Sequence, residues 1–268
     1  MITDFEFQQI VNYIKDKYGI KLQEKKVLVV GRLENYLVRN DIDSYSELMN
    51  KVRSDPGGTI ATDLINSLTT NHTYFMREFE HMEFLKSRVL PYLKQKESAS
   101  RDLRIWCGAS SSGEEPYTLA MVLQDFFGLE SEKWDTTVLA TDISTRVLQH
   151  AQKGVYMNEQ VEVLPESWKR RFFRKYDKDS MQVNETLKKE VLFRQFNLMN
   201  PLPFRRKLHV VFLRNVMIYF DEDTKAALVN RIYDFMEPGG YLFIGTTETI
   251  DRSRTKFTYI QPSIYRKV

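Results

Sequence analysis

Cysteine and long apolar runs are scarce in this sequence, and each absence excludes a class of protein. Cys107 is the only cysteine among 268 residues, so an internal disulfide is impossible. No stretch reaches the roughly 18 uncharged apolar residues of a membrane-spanning helix, and the start, MITDFEFQQI, lacks the basic and apolar segments of a signal peptide. We therefore expect a cytoplasmic protein that does not insert into a membrane.

Histidine and net charge are also low. The four histidines show no metal-ligand spacing with one another or with Cys107, so we predict no metal site. A formal net charge of +3 is too small to indicate nucleic-acid binding. Basic residues are concentrated in two places, where solvated helix faces would also explain them. Lys25, Arg32 and Arg39 recur every seven residues along a predicted helix, and the segment 168–178 (WKRRFFRKYDK) contains six basic residues.

The first part of the chain has the apolar spacing of helices. Phe7, Ile10 and Ile14 fall on one helix face, and the same period continues through the next segments. We predict an N-terminal helical domain over residues 1–70, followed by an interdomain segment and linker helix over 71–102. The predicted segments are a helical bundle at 5–53, a turn at 54–58, a helix at 62–68, a helix at 78–95 and a polar linker at 96–102.

From residue 103 to residue 268, short apolar runs alternate with helical segments. This alternation predicts an α/β domain with a mostly parallel, doubly wound sheet that ends in an antiparallel hairpin. Residues 154–190 do not follow the alternation and are predicted to be an insertion. The predicted strands are 103–107, 136–141, 191–195, 208–213 and 240–246, the helices 115–127, 144–153 and 222–235, and the hairpin strands 257–260 and 263–266.

Two features at predicted strand ends suggest a cofactor site. The first strand runs into the small residues 108–113 and then into a helix, and such a bend lets a ligand approach the backbone; tight packing alone would also explain it. Asp142 ends the second strand, where a carboxylate can accept both ribose hydroxyls of an adenosine cofactor or can cap the next helix. Together they favour the ligand interpretation. The turn Glu237 to Gly240, before the last parallel strand, adds weak support.

Four short sequence motifs, occurring in a fixed order along the chain, make its resemblance to one known family specific. The chain resembles the bacterial chemotaxis-receptor methyltransferases, the CheR family, over nearly its whole length, although the turn after Cys107 differs in its small residues. The resemblance implies a class I S-adenosylmethionine methyltransferase fold with a small all-helical N-terminal domain and a small β-subdomain at 154–190. The strings that carry it are NHTYFMR at 71–77, SGEEPY at 112–117, TDIS at 141–144 and RNVMIYF at 214–220.

The resemblance also implies an activity and a set of site residues. The enzyme would transfer a methyl group from S-adenosylmethionine to glutamate carboxylates of methyl-accepting chemotaxis receptors, leaving S-adenosylhomocysteine. Arg77 and Tyr219 would lie nearest the reacting centre, although Arg77 could instead pair with Glu78 or Glu80, and Tyr219 could be a core aromatic. The implied cofactor-binding residues are Asn71, Thr73, Arg77, Glu115, Asp142, Asn197, Leu198, Arg214 and Asn215.

The partner is expected to be the helical cytoplasmic region of a receptor, bound by a monomer. The stretch 174–184 contains no glycine, whereas family members that capture a C-terminal receptor peptide have a glycine-containing turn there, so we expect no such tether. Two alternatives remain open: a nucleic-acid methyltransferase, suggested by NPLPF at 200–204, and a non-catalytic cofactor-binding module. The expected receptor contacts are Lys25, Arg32, Arg39, Lys169, Arg170, Arg171 and Arg174.

Overall fold

A computed structural model describes residues 2–268. Its first four helices enclose a hydrophobic cluster of their own, with Ile10, Leu33 and Leu64 fully buried. Thr3 begins the first helix as a capping box with Glu6, because each residue's side chain accepts the other's backbone N–H. The division of the chain at residues 70 and 102 stays a prediction. The helices are α1 (Asp4–Tyr18), α2 (Lys26–Arg39), α3 (Tyr45–Ser54) and α4 (Thr59–Leu68).

The predicted linker helix is present with one irregularity. It comprises α5 (Glu80–Phe84), a π-helical turn (Leu85–Val89) and α6 (Leu90–Lys96). The apolar residues of this helix, including Leu85 and Leu93, are buried against the sheet. The wider turn changes which side chains face the sheet without ending the helix.

The remaining residues form the α/β domain. The sequence-based prediction of its fold class is confirmed, and most predicted elements end within two or three residues of the observed ones. The strands are β1 (Ile105–Gly108), β2 (Val138–Asp142), β3 (Val155–Met157), β4 (Phe173–Lys175), β5 (Ser180–Val183), β6 (Val191–Gln195), β7 (Leu208–Leu213), β8 (Met236–Ile244), β9 (Thr258–Gln261) and β10 (Ile264–Arg266). The helices are α7 (Glu114–Phe127), α8 (Thr145–Lys153), α9 (Asn158–Val161), α10 (Glu166–Phe172), α11 (Glu185–Lys189) and α12 (Glu222–Asp234), with short 3₁₀ turns at Gly128–Lys133 and Met217–Tyr219.

Seven strands make one sheet in the order β6-β2-β1-β7-β8-β10-β9. The first five are parallel, and β10 and β9 add the antiparallel hairpin that the sequence predicted. Successive side chains of β1 enter different hydrophobic clusters, Ile105 and Cys107 on one face and Trp106 on the other, because a strand alternates its faces. Since all five parallel strands point the same way, their carboxyl ends share one edge.

One strand boundary was predicted wrongly. The turn Glu237 to Gly240 was expected to precede a strand beginning at residue 240, but β8 already begins at Met236. Its pairing with β7 shifts register between Leu208 and Val210, and Gly239 has φ 81°. The proline and glycines therefore form an irregularity inside the strand rather than a turn before it.

The insertion forms a second, three-stranded antiparallel sheet in the order β3-β5-β4. The basic segment 168–178 was expected to be a solvated helix face or a receptor contact, and it divides between α10 and β4. Tyr156 and Gln182 join the insertion to its surroundings, since the Tyr156 hydroxyl donates to Ser112 O at 2.7 Å and the Gln182 amide donates to Lys153 O at 2.9 Å. Among residues 2–268, no helix is long and apolar enough to cross a membrane.

Candidate functional site

A cleft opens at the carboxyl ends of β1, β2 and β7, on the side where the N-terminal helices pack, and it encloses about 1070 Å³ when the solvent at its open mouth is counted. This edge is where ligands bind in parallel α/β sheets. All nine residues that the family resemblance assigned to the cofactor line the cleft, and so does Tyr219. The structure thus brings together residues from five separate parts of the sequence.

The loop between β1 and α7 is held against the end of β2 by Asp142. Its two carboxylate oxygens accept the backbone N–H groups of Ser111 and Ser144, each at 2.9 Å. Burial raises the pKa of Asp142, although these N–H donors oppose the shift. The hydroxyl of Ser144, not Asp142, caps α8 by accepting the N–H of Val147 at 3.4 Å. Each Asp142 oxygen keeps a further lone pair, so the carboxylate can still accept a hydroxyl from the cleft.

Arg214 is the centre of a buried ion cluster. Its guanidinium lies 2.8 Å from Glu115 Oε2 and 3.1 Å from Glu78 Oε2, and it donates to the carbonyl oxygen of Arg77 at 2.6 Å. Burial works against the charged form of Arg214, but the two carboxylates outweigh it and raise its pKa. Burial and the Arg214 charge lower the pKa of His81 to about 4, so this imidazole is neutral at pH 7. Arg214 therefore organises the floor of the cleft rather than offering a free charge to it.

A second buried carboxylate, Glu248, was missed by the sequence analysis. It follows β8, lies outside the cleft lining and is 6% exposed. Its oxygens accept the backbone N–H groups of Asn215 at 2.8 Å, Gly245 at 2.7 Å and Met217 at 2.6 Å. Burial raises its pKa although these donors oppose the shift. The only signal in the sequence was an acidic residue directly after a strand, in the string TTETI, which does not reveal its partners.

Arg77 and Tyr219 both face the cleft. The guanidinium of Arg77 donates to His72 O at 2.9 Å and lies 5.6 Å from the centre of the Tyr74 ring. Within residues 2–268 it forms no ion pair with Glu78 or Glu80, which was its alternative role. Tyr219 is only partly buried, so it is not a closed core aromatic. Lys25 Nζ lies 5.2 Å from the centre of its ring.

Among the other assigned residues, Asn71 and Asn197 tie separate segments together around the cleft. Ser111 Oγ donates to Asn71 O at 2.8 Å, which ties the interdomain segment to the β1–α7 loop. The amide of Asn197 donates to Lys17 O at 2.8 Å and so joins the segment after β6 to the end of α1. Thr73 and Leu198 line the cleft, and the Leu198 side chain is buried.

The N-terminal helices supply a wall of the cleft that the sequence analysis did not foresee. Gly19, between α1 and α2, has φ 72°, and an added Cβ would lie 2.7 Å from Met199 Sδ. The following Lys21 N–H donates to the carbonyl oxygen of Tyr219 at 2.9 Å. The residues of this wall are Tyr18, Ile20, Leu22, Lys25, Leu28 and Leu68.

The three basic residues near α2 do not form one surface. Lys25 precedes the helix and lines the cleft. Arg32 donates to Leu68 O at 2.9 Å and Thr69 O at 3.1 Å, so it fastens the end of α4. Arg39 is exposed in the last turn of α2. The expectation of one continuous basic face is therefore replaced by three different placements.

The basic residues of the insertion do not line the cleft. Lys169 pairs with Glu166, and Arg174 bonds Gln182 Oε1 at 2.9 Å. Arg171 lies over the ring of Phe172 at 4.8 Å, and Arg170 is exposed. Any contact these four make with a partner would be separate from the cleft.

The residues present fit an adenosine cofactor. Ser110 lines the cleft, and its buried hydroxyl has no hydrogen-bond partner within residues 2–268, so it is a polar group that a ligand could satisfy. Asp142 offers an acceptor, and Phe196 and Ile143 add apolar surface. In the described part of the chain, no cluster of three histidine, cysteine, aspartate or glutamate residues could hold a metal ion.

Comparisons with known proteins agree over nearly the whole chain. The family models described as CheR methyltransferase, all-alpha domain, and CheR methyltransferase, SAM binding domain, match residues 6–69 and 71–266. The chemotaxis protein methyltransferase of Borreliella burgdorferi is 38% identical, over 99% of this chain and 95% of that protein. Chemotaxis protein methyltransferase 1 of Pseudomonas aeruginosa is 34% identical over 98% and 97%. The chemotaxis protein methyltransferase of Escherichia coli is 32% identical over 98% and 91%.

Proposed function

Because the chain belongs to the CheR methyltransferase family, we propose that it methylates glutamate side chains of chemotaxis receptors, using S-adenosylmethionine as methyl donor. The observation that carries the proposal is the single cleft in which Asp142, Arg77 and Tyr219 meet. The receptor's helical cytoplasmic region is the proposed partner. The enzyme is proposed to be a monomer that acts in the cytoplasm.

The residues of the cleft divide the work between cofactor and acceptor. Asp142 and Ser110 are placed to accept or donate hydrogen bonds to the cofactor, which supplies an electrophilic methyl group. Arg77 is a cation without a carboxylate partner in the described chain, so it can orient an incoming carboxylate by charge-assisted hydrogen bonds. A glutamate, with an ordinary pKa of about 4.3, is already ionised at neutral pH, so no general base is required. The enzyme's contribution is alignment and exclusion of water.

A volatile-methanol assay tests the function. The protein is incubated with methyl-labelled S-adenosylmethionine and receptor-containing membranes, and the product is then treated with mild alkali. A glutamate methyl ester releases labelled methanol, whereas methylated bases or amides do not. Labelled protein without released methanol would contradict the ester, and label in added nucleic acid would favour the nucleic-acid alternative.

Removal of the carboxylate at the end of β2 should weaken cofactor binding. Asp142→Ala is expected to cost roughly 1.5 to 3 kcal/mol of binding free energy, because charge-assisted hydrogen bonds are lost. Titration calorimetry measures this loss. Asp102→Ala is the matched control, since it removes a carboxylate that pairs with Arg104 and Arg206 at the opposite edge of the sheet. Equal affinity of a folded Asp142→Ala protein and the wild type would exclude Asp142 from the site.

Receptor recognition is proposed to involve Lys25 at the cleft, Arg39 on α2 and the basic residues of the insertion, without a C-terminal tether. The connection between β4 and β5 contains no glycine, which supports the proposal that this enzyme uses no C-terminal tether. Asp177 Oδ1 accepts the N–H of Asp179 at 2.9 Å there. Complementary charge on the receptor would strengthen such contacts, and salt would weaken them.

Receptor truncation tests this detail. A receptor lacking its last several residues should be methylated at a rate within about twofold of that of the full-length receptor, because the truncation removes no contact with the enzyme. A tenfold loss of affinity would correspond to about 1.4 kcal/mol of lost binding free energy. Initial rates of methyl incorporation measure the effect. Micromolar binding of the free C-terminal peptide, together with a large loss on truncation, would show that the insertion is a tethering site.

A further inference from the structure

One buried carboxylate holds the segment that carries three of the cleft residues. Besides the N–H groups of Asn215, Gly245 and Met217, Glu248 accepts the N–H of Ile218 at 3.3 Å. Three of these four donors belong to the segment after β7, and the fourth belongs to the end of β8. Glu248 therefore joins two neighbouring strand ends at the edge where the cleft opens.

The segment it holds is conformationally demanding. Asn215 has φ 58°, in the left-handed region, which asparagine adopts more readily than most other residues but which is still uncommon outside glycine. The turn that follows carries Tyr219, which lines the cleft together with Asn215 and Val216. A backbone in a disfavoured conformation persists only when surrounding contacts enforce it. The four hydrogen bonds to Glu248 are such contacts.

The space around Glu248 admits little change. A Cβ added to Gly245 would lie 2.5 Å from Asn215 Nδ2 and 2.9 Å from Glu248 Oε2. An ionised carboxylate is acceptor-only, so both of its oxygens suit a ring of N–H donors, whereas glutamine would direct an NH₂ group at some of them. Glutamine would keep the shape of the side chain but would replace one of the two acceptor oxygens by an NH₂ donor.

We propose that Glu248 is a positioning residue for the methyl transfer, fixing the segment 215–219 so that Asn215 and Tyr219 face the cleft. It touches neither cofactor nor acceptor, since it lies outside the cleft lining. The inference rests on the proposed function for its catalytic consequence, while the placement of segment 215–219 can be measured without any receptor.

Glu248→Gln is the decisive variant. We expect its single-turnover methylation rate constant at saturating cofactor to fall roughly 10- to 100-fold, because small displacements of positioning groups cost this much. Hydrogen exchange of the Asn215 or the Met217 amide should accelerate by at least about tenfold, because these amides bond different oxygens of Glu248 and glutamine keeps only one acceptor oxygen. Glu97→Gln is the matched control: its carboxylate bonds His209 and Ser100 at the far edge of the sheet.

The outcomes separate the two proposals. A folded Glu248→Gln protein with the wild-type rate constant would overturn the positioning role, even if its melting temperature is lower. If glutamine prevents folding, Gly245→Ala disturbs the same contact from the other side, and a wild-type rate constant in that variant also overturns the role. A wild-type enzyme that yields no methanol overturns the proposed function instead, and protected Asn215 and Met217 amides in Glu248→Gln would overturn the placement.

Discussion

Arg214→Met is expected to lower the free energy of unfolding by about 3 to 5 kcal/mol, the cost of breaking a buried ion pair from one side. Methionine fills similar space, but Glu115 and Glu78 are then left buried without their cation. Denaturant unfolding measures the loss. Arg104→Met is the matched control, because its ion pairs with Asp102 and Glu237 are more exposed and should contribute less.

The loss of unfolding free energy in Arg214→Met should become smaller as the pH falls. Burial pushes the pKa of Glu78 up, but Arg214 and the hydrogen bond from Asn215 together outweigh it, so the wild-type pKa lies below its ordinary value of about 4.3. The pair therefore stabilises the wild type above that pH and does so progressively less as the pH falls through the folded-state pKa. In Arg214→Met the strongest charge opposing burial is gone, although the Asn215 and Thr246 donors remain, so the balance at Glu78 moves toward the protonated acid. The difference between the two proteins should thus shrink from pH 7 to pH 5, and a constant difference would contradict the assignment.

Arg77→Gln is expected to slow single-turnover methylation by about 100-fold or more, while the protein remains folded. The guanidinium lines the cleft and has no carboxylate partner in the described chain, so its loss removes the group proposed to orient the acceptor carboxylate. Rapid-quench measurement at saturating cofactor gives the rate constant.

Arg88→Gln provides the control for Arg77, because Arg88 is exposed on the linker helix and does not line the cleft. Arg77→Lys keeps the charge but not the planar fork of donors, and an intermediate rate is expected. An Arg77→Gln enzyme as fast as the Arg88→Gln control would show that acceptor orientation lies elsewhere.

The sheet could be predicted because its signals are local. Each parallel strand is a short apolar run bounded by helical periodicity, as in 191–195 and 208–213, where prediction and structure coincide. The cleft residues followed the strand ends and the family strings, so Asp142 and Asn215 were found together. The start of β8 was missed because a proline and two glycines look like a turn when their partner strand is unknown.

Contacts between distant segments could not be predicted in this way. Glu248 bonds backbone groups about 30 positions away, and the sequence gives no sign of which carbonyls or amides will come near. Arg32 was assigned to a surface because its spacing matched a helix face, yet its acceptors are the carbonyl oxygens of Leu68 and Thr69 at the end of α4. Periodicity identifies which face a residue occupies but not what covers that face.

The wall that Tyr18, Ile20 and Leu22 give to the cleft has a thermodynamic consequence. The four N-terminal helices have their own hydrophobic cluster, yet the cleft is completed only when they are folded against the sheet. A ligand bound in the cleft would contact both the N-terminal helices and the sheet domain. Neither part alone would bind it with full affinity, so its binding free energy stabilises both together. Saturating cofactor should therefore couple the melting of the helices to that of the sheet, and the chain would lose its two parts in a single cooperative transition.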